Sequence, residues 1–336
     1  MSGLGNRGRV LGLVLAVVVL VLVAFASVAY GSRSIALGTV WDALFHVDRS
    51  NEDHLIVQEL RLPRTVLGLV VGIALGLAGT VMQGLTRNPL ADPGILGVEA
   101  GASLAVVFAI YTLGIGSFNG YVWFAFAGAA AASAAVYTLG SLGRGGATPV
   151  KLALAGAALA AMLSSLTSTI LLLDVETLDQ FRFWAVGSLV GRGTEVVVDV
   201  APFVAFGTLL ALGTGRALNT LALGEDMARS LGQRVGLARA TSALAVVVLA
   251  GAATAAAGPI GFVGLTIPHV ARAITGPDYR WVLPYALVLA PTLLLSADVV
   301  GRVVARPGEV QVGIVTAVIG APFFVMLVRR RRLAEL

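Results

Sequence analysis

Long apolar runs alternate with short polar breaks along the whole chain. At about 20 residues for each crossing of roughly 30 Å of hydrocarbon, the runs at 10–30, 64–83, 95–113, 120–141, 151–173, 195–213, 240–258, 262–276, 281–300 and 311–328 predict ten membrane-spanning helices, the eighth of them short. In the second run Gly68, Gly72 and Gly76 fall four apart and so share one helical face. Small residues at that spacing let backbones approach closely where lipid supplies no hydrophobic drive. Alanine-rich stretches at 127–135 and 250–257 serve the same end.

Two polar stretches interrupt the pattern. "MQGLTRNPLADPGILG" (82–97) separates the second run from the third. Irregular backbone at membrane depth is tolerated only where protein or water covers it. Asn88 and Asp92 can bond freed backbone groups there, while Pro89 and Pro93 end one helix and start the next. "TGRALNTLALGEDMARSLGQRVGLAR" (214–239) is too polar to cross, yet Leu221, Ala228, Leu231 and Val235 recur at helical spacing, with Glu225, Asp226, Arg229 and Arg234 on other faces. It predicts an amphipathic helix that docks to a partner protein or lies on the membrane surface. The two central acids count against the second option.

Composition agrees with an all-α polytopic membrane protein: 57% of the 336 residues are hydrophobic and only 12% charged. The chain has no cysteine, which removes disulfide frameworks and thiolate metal sites. Its net charge of +5 comes mostly from arginines at the ends of apolar runs, where topology explains them, and no nucleic-acid partner is expected. With the N-terminus inside, the inner segments hold Arg7, Arg9, Arg87, Arg144, Lys151, Arg216, Arg229, Arg234, Arg239, Arg272, Arg280 and Arg329 to Arg332, the majority of the 23 basic residues. The positive-inside rule therefore places both termini in the cytoplasm. "ASVAY" (26–30) loosely resembles a signal-peptide cleavage site. The apolar core before it, at about 20 residues, exceeds the usual 7–15 and favours an uncleaved helix.

Candidate chemistry is sparse. The single lysine, Lys151, follows "ATPV", so no Walker A loop is present and ATP is not bound by that route. His269 is the only histidine inside the apolar region and is expected to satisfy a hydrogen bond at a helix break after Pro268. Asp298 has two readings. A lone intramembrane carboxylate can be a proton or cation site, or it can pair with Arg302 one turn away at the outer helix end. The pair is favoured, because an ion-coupled secondary transporter would show more than one such group.

Three blocks carry a family resemblance. "RLPRTVLGLVVGIALGLAGTVMQGLTRNPLADPGILGVEAGASLAVV" (61–107), "GPIGFVGLTIPHVAR" (258–272) and "GIVTAVIGAPFFVMLV" (313–328) resemble, in this order, the FecCD-type permeases, the membrane subunits of type II ABC importers for iron–siderophore chelates, haem and cobalamin. The resemblance covers nearly the whole chain and implies one transmembrane permease domain over 1–336. It implies a structural turn at Asn88, Pro89, Asp92, Pro93 and Gly94. It also implies a cytoplasmic coupling segment within 214–239, carried by Leu223, Gly224, Glu225, Asp226, Ala228, Leu231 and Gly232, although Met227 departs from the small residue expected.

Arg61, Arg64 and Arg302 sit where the family presents outward-facing arginines to acidic residues of a substrate-binding protein, the plain alternative being snorkelling arginines. Thr148, Pro149 and Val150 match a cytoplasmic gate region. The partners implied are a second permease subunit, identical or similar, two ATP-binding subunits carrying ATP and Mg, and an extracytoplasmic binding protein, all at a bacterial cytoplasmic membrane. No catalytic residue, cofactor or metal is expected in this chain. Among cargoes a ferric siderophore is preferred to haem or cobalamin.

Overall fold

A computed structural model describes residues 5–142 and 148–329, and among these the regular structure is entirely helical. Ten helices answer to the ten apolar runs: α1 (Asn6–Ala29), α4 (Leu62–Thr86), α5 (Val98–Leu113), α6 (Phe118–Ser141), α7 (Pro149–Leu173), α9 (Thr194–Gly213), α12 (Val235–Ala257), α13 (Val263–Thr275), α14 (Tyr279–Val304) and α15 (Val312–Arg329). Five shorter helices fill the polar breaks: α2 (Leu37–Phe45), α3 (Glu52–Leu55), α8 (Val175–Ala185), α10 (Gly215–Ala222) and α11 (Glu225–Ser230). At 1.5 Å per residue the 13-residue α13 spans only about 20 Å, less than the roughly 30 Å of a hydrocarbon core, as its short run implies.

The second span starts earlier than its hydropathy suggests. α3 runs through a π-helical stretch, Ile56–Arg61, into α4, giving one helical rod of 35 residues over Glu52–Thr86. Asn51 begins it by accepting a hydrogen bond from Asp53 N, and Glu52 and Asp53 place negative charge on the first turn. Nearly four-fifths of its most apolar window is buried, so α4 is the central post, packed against α9, α12, α13 and α14.

The glycine seam explains that position. A Cβ on Gly72 would stand 2.4 Å from Pro291 Cα, and one on Gly76 would stand 2.3 Å from Ala290 Cβ, while Gly68 faces Leu295. The three glycines thus form the face on which α14 rides. Further down the same helix a Cβ on Gly79 would lie 2.0 Å from Gly264 O, so α13 crosses α4 backbone to backbone. The periphery is the reverse: only 11% of the most apolar window is buried in α1, and the same share in α7.

Candidate functional site

At its C-terminal end α4 stops at Arg87, whose φ of 52° turns the chain out of the helix. Asn88 Oδ1 accepts from Leu90 N at 2.9 Å and Asp92 Oδ1 from Gly94 N at 2.8 Å, so both side chains replace lost helical partners locally. Pro93 opens a short 3₁₀ turn, Pro93–Leu96, which ends at Gly97 with φ 72°, and α5 follows. This turn is why the third span begins at Val98 rather than 95. His269 makes its hydrogen bond across to this break and not within its own helix: Nε2 lies 2.9 Å from Pro89 O, a carbonyl that can only accept, so His269 donates. Gln83 Nε2 donates to Leu265 O at 3.2 Å and accepts from Arg272 through Oε1. The break is therefore tied to α13 by three polar contacts.

The opposite end of α4 carries a charge cluster. Asp298 is fully buried, with Arg64 Nη2 at 2.7 Å and Arg302 Nη2 at 2.9 Å. Arg64 Nη1 also donates to Glu309 at 2.7 Å. The expected Asp298–Arg302 pair is present, and Arg64 and Glu309 complete it as two cations with two anions. The outward-facing arginines need correction. Arg302 donates to Ser27 O at 2.9 Å and Ser27 Oγ at 2.8 Å, and Arg61 donates to Val28 O at 3.1 Å and Ala29 O at 2.6 Å. Arg61, Arg64 and Arg302 are all buried. The last carbonyls of a helix lack intrahelical donors and carry partial negative charge, so the end of α1 draws two of these guanidiniums inward, while Asp298 and Glu309 hold the third. They form the wall of a cavity of about 340 Å³ whose lining also includes Arg33, Glu59 and Arg192.

The 214–239 segment is not one helix: it runs through α10 and α11 into the first turn of α12. Gly224 (φ 103°) and Gly232 (φ 80°) take conformations that other residues rarely adopt, breaking the run after α10 and after α11. Leu221, Ala228 and Val235 pack together with Ala238 as expected. Leu231, expected on that face, is instead 62% exposed, because the turn after Ser230 rotates it outward, and it joins Leu223 (64%) and Met227 (52%) at the surface. Glu225 is held by Arg239 from α12, whereas Asp226 stays exposed, with Arg229 at 3.7 Å. Asn219 on α10 grips the α13–α14 turn: its Nδ2 donates to Asp278 Oδ1 at 2.6 Å and its Oδ1 accepts from Tyr279 N at 2.9 Å.

Thr148 caps α7 by accepting from Lys151 N at 3.4 Å, Pro149 opens the helix, and Val150 is exposed. Arg144 and Arg330 to Arg332, among the basic residues expected on the cytoplasmic side, lie outside the described residues. Sequence reasoning had no signal for Ser27, Glu309 or the Asn219–Asp278 grip, since each depends on chain segments far apart.

Comparison with known proteins agrees with this architecture. The FecCD transport family model matches residues 19–330. The chain is 49% identical over 314 residues to the ferric enterobactin transport system permease protein FepD of Escherichia coli (strain K12), covering 93% of each chain. It is 46% identical over 318 residues to the protein named "Probable siderophore transport system permease protein YfiZ" of Bacillus subtilis (strain 168), covering 95% of each. A solved structure described as an inward-facing conformation of an ABC transporter assigned to the metal-chelate type superposes with a TM-score of 0.83 at 30% identity, over 95% of this chain and 98% of that one. With ten helices in this arrangement and a match across nearly its full length, the chain belongs to the FecCD transport family.

Proposed function

We propose that this membrane permease moves a ferric siderophore by alternating access, driven by ATP hydrolysed on two partner subunits that carry the ATP and Mg. A second permease subunit completes the pathway, and a binding protein delivers the chelate on the outer side. The setting is a bacterial cytoplasmic membrane with both termini on the cytoplasmic face. The siderophore preference is supported by the names of the two relatives.

The observation that carries the coupling is the split inner segment. Leu221, Ala228 and Val235 root it in the protein, while Leu223, Met227 and Leu231 stand exposed on its far side. An apolar triad rimmed by Asp226 and Arg229 is what a docking surface needs, a hydrophobic centre with a polar edge. Coupling is therefore assigned to residues 223–232 and gating to Thr148, Pro149 and Val150. The exposed face of α7 is available to the second permease subunit. Binding-protein docking is assigned to the outer surface around Arg61, Arg64 and Arg302, whose buried side chains shape that surface and do not project from it. The ion-coupled alternative loses its support, because both oxygens of Asp298 are already engaged by guanidiniums.

The test is ATP hydrolysis by the chain co-purified with its ATPase in lipid, with and without cargo-loaded binding protein, for native chain and Met227→Glu. Stimulation by the loaded protein that the variant loses is the expected result. Hydrolysis indifferent to both would remove the coupling assignment. Gly232→Arg is a poorer probe, since any side chain at φ 80° strains the backbone itself.

A further inference from the structure

Arg9, at the start of α1, stands apart from the other arginines. Among the described arginines that are not exposed, it alone has no hydrogen-bond acceptor and no ion-pair partner, and its Nε is fully buried. The side chain is nonetheless held in place. Its guanidinium lies over the Trp281 ring, 6.0 Å from the centroid, and Nη2 stands 3.8 Å from where a Cβ on Gly276 would be. Tyr285 Oη donates to Arg9 O at 2.7 Å, and Gly12 leaves room for that hydroxyl, since a Cβ there would meet it at 2.4 Å. The corner is thus built from α1, the α13–α14 turn and the first turns of α14.

The acid closest to this corner in sequence, Asp278, is already taken. Its oxygens receive Asn219 Nδ2 at 2.6 Å and Arg280 Nε and Nη2 at 3.1 and 2.8 Å. A partly desolvated cation without an anion is costly, and here the missing anion has an obvious source. Beyond Arg9, Val10, Leu11, Val14 and Leu15 are exposed along α1, which reads as a lipid-facing helix. Arginine and tryptophan at the foot of such a helix mark headgroup depth. We propose that this corner binds the phosphate of an anionic phospholipid, with its acyl chains lying along the exposed face of α1.

Native mass spectrometry of the full chain, titrated with phosphatidylglycerol and with phosphatidylcholine of the same acyl composition, tests this. The native chain is expected to hold phosphatidylglycerol more tightly, and Arg9→Gln to weaken that lipid roughly fivefold, the scale for one cation at a membrane surface, without changing phosphatidylcholine. Arg7→Gln, at an exposed arginine outside the corner, is expected to change phosphatidylglycerol binding by a smaller factor. If Arg9→Gln does not fold, Arg9→Lys replaces it: the charge stays but the planar stack on Trp281 goes, and an intermediate loss is expected. Equal affinity for the two lipids, or unchanged phosphatidylglycerol affinity in the Arg9 variants, overturns the proposal. So does displacement of the lipid by millimolar inorganic phosphate, which would make the corner a free-anion site.

Discussion

Arg64 donates to Asp298 across 234 positions of sequence, from Nε at 3.1 Å and from Nη2 at 2.7 Å. The contact joins the start of α4 to the C-terminal half of α14, and Arg302 closes the carboxylate from its other side. Asp298→Asn removes the charge that two buried guanidiniums share. Breaking a buried pair by one partner costs about 3–5 kcal/mol, because the other charge stays buried without compensation. A lower midpoint of thermal unfolding in detergent is expected, with uptake falling in proportion to folded protein. Native stability with abolished uptake would instead restore Asp298 as an ion site.

That cluster also marks where sequence reading stops. The ten helices over the apolar runs are legible because each run is itself long enough to be a helix, and the Gly68, Gly72 and Gly76 face because four-residue spacing is a local property. Asn88 and Asp92 were legible for the same reason, since each bonds a backbone group two residues on. The direction of Arg61, Arg64 and Arg302 was not. Whether an arginine at a helix end reaches out or turns in depends on which carbonyls and carboxylates lie opposite, and Ser27 and Glu309 come from other elements. Leu231 leaves its expected face for a different cause: one helical period does not continue across Gly224 and Gly232, where the backbone changes direction.

The crossing of α4 and α13 leaves no room for a side chain at Gly79. A Cβ there would fall 2.0 Å from Gly264 O, a backbone atom that can withdraw only if α13 moves. Gly79→Ala is expected to destabilise by about 1–3 kcal/mol, the usual range for overpacking. Gly38→Ala on α2, where nothing lies within 4 Å, serves as the control and is expected to be neutral or slightly stabilising. Thermal unfolding of the two variants side by side decides it; equal midpoints would mean that α13 yields easily.

Among the described residues Asn219 is the one side chain that hydrogen-bonds both Asp278 and the Tyr279 amide, so it fastens α10 to the start of α14. Asn219→Leu leaves the Tyr279 amide without its side-chain acceptor, a loss of about 1–3 kcal/mol. If motion of residues 214–239 reaches α14 through this grip, the proposed transporter assembled with the variant hydrolyses ATP on its partner subunits at the basal rate but moves less cargo per ATP. Exchanging the two residues, Asn219→Asp with Asp278→Asn, keeps a donor and an acceptor facing each other and is expected to restore part of that ratio. An unchanged ratio in Asn219→Leu would assign the grip to stability alone.

Acid should loosen the same joint. The hydrogen bond from Arg280, helped by Asn219, lowers the Asp278 carboxyl from its ordinary 3.8 to about 2. Because the folded value lies below the unfolded one, the charged cap stabilises the native state fully above about pH 4 and loses this contribution as pH falls toward 2. Asp278→Asn can still cap α14 but carries no charge to lose. The native chain is expected to unfold at a higher temperature than Asp278→Asn near neutrality, and the difference should close between about pH 4 and pH 2. A difference that stays constant through that window would mean that hydrogen bonding alone, without the carboxylate charge, holds α10 against α14.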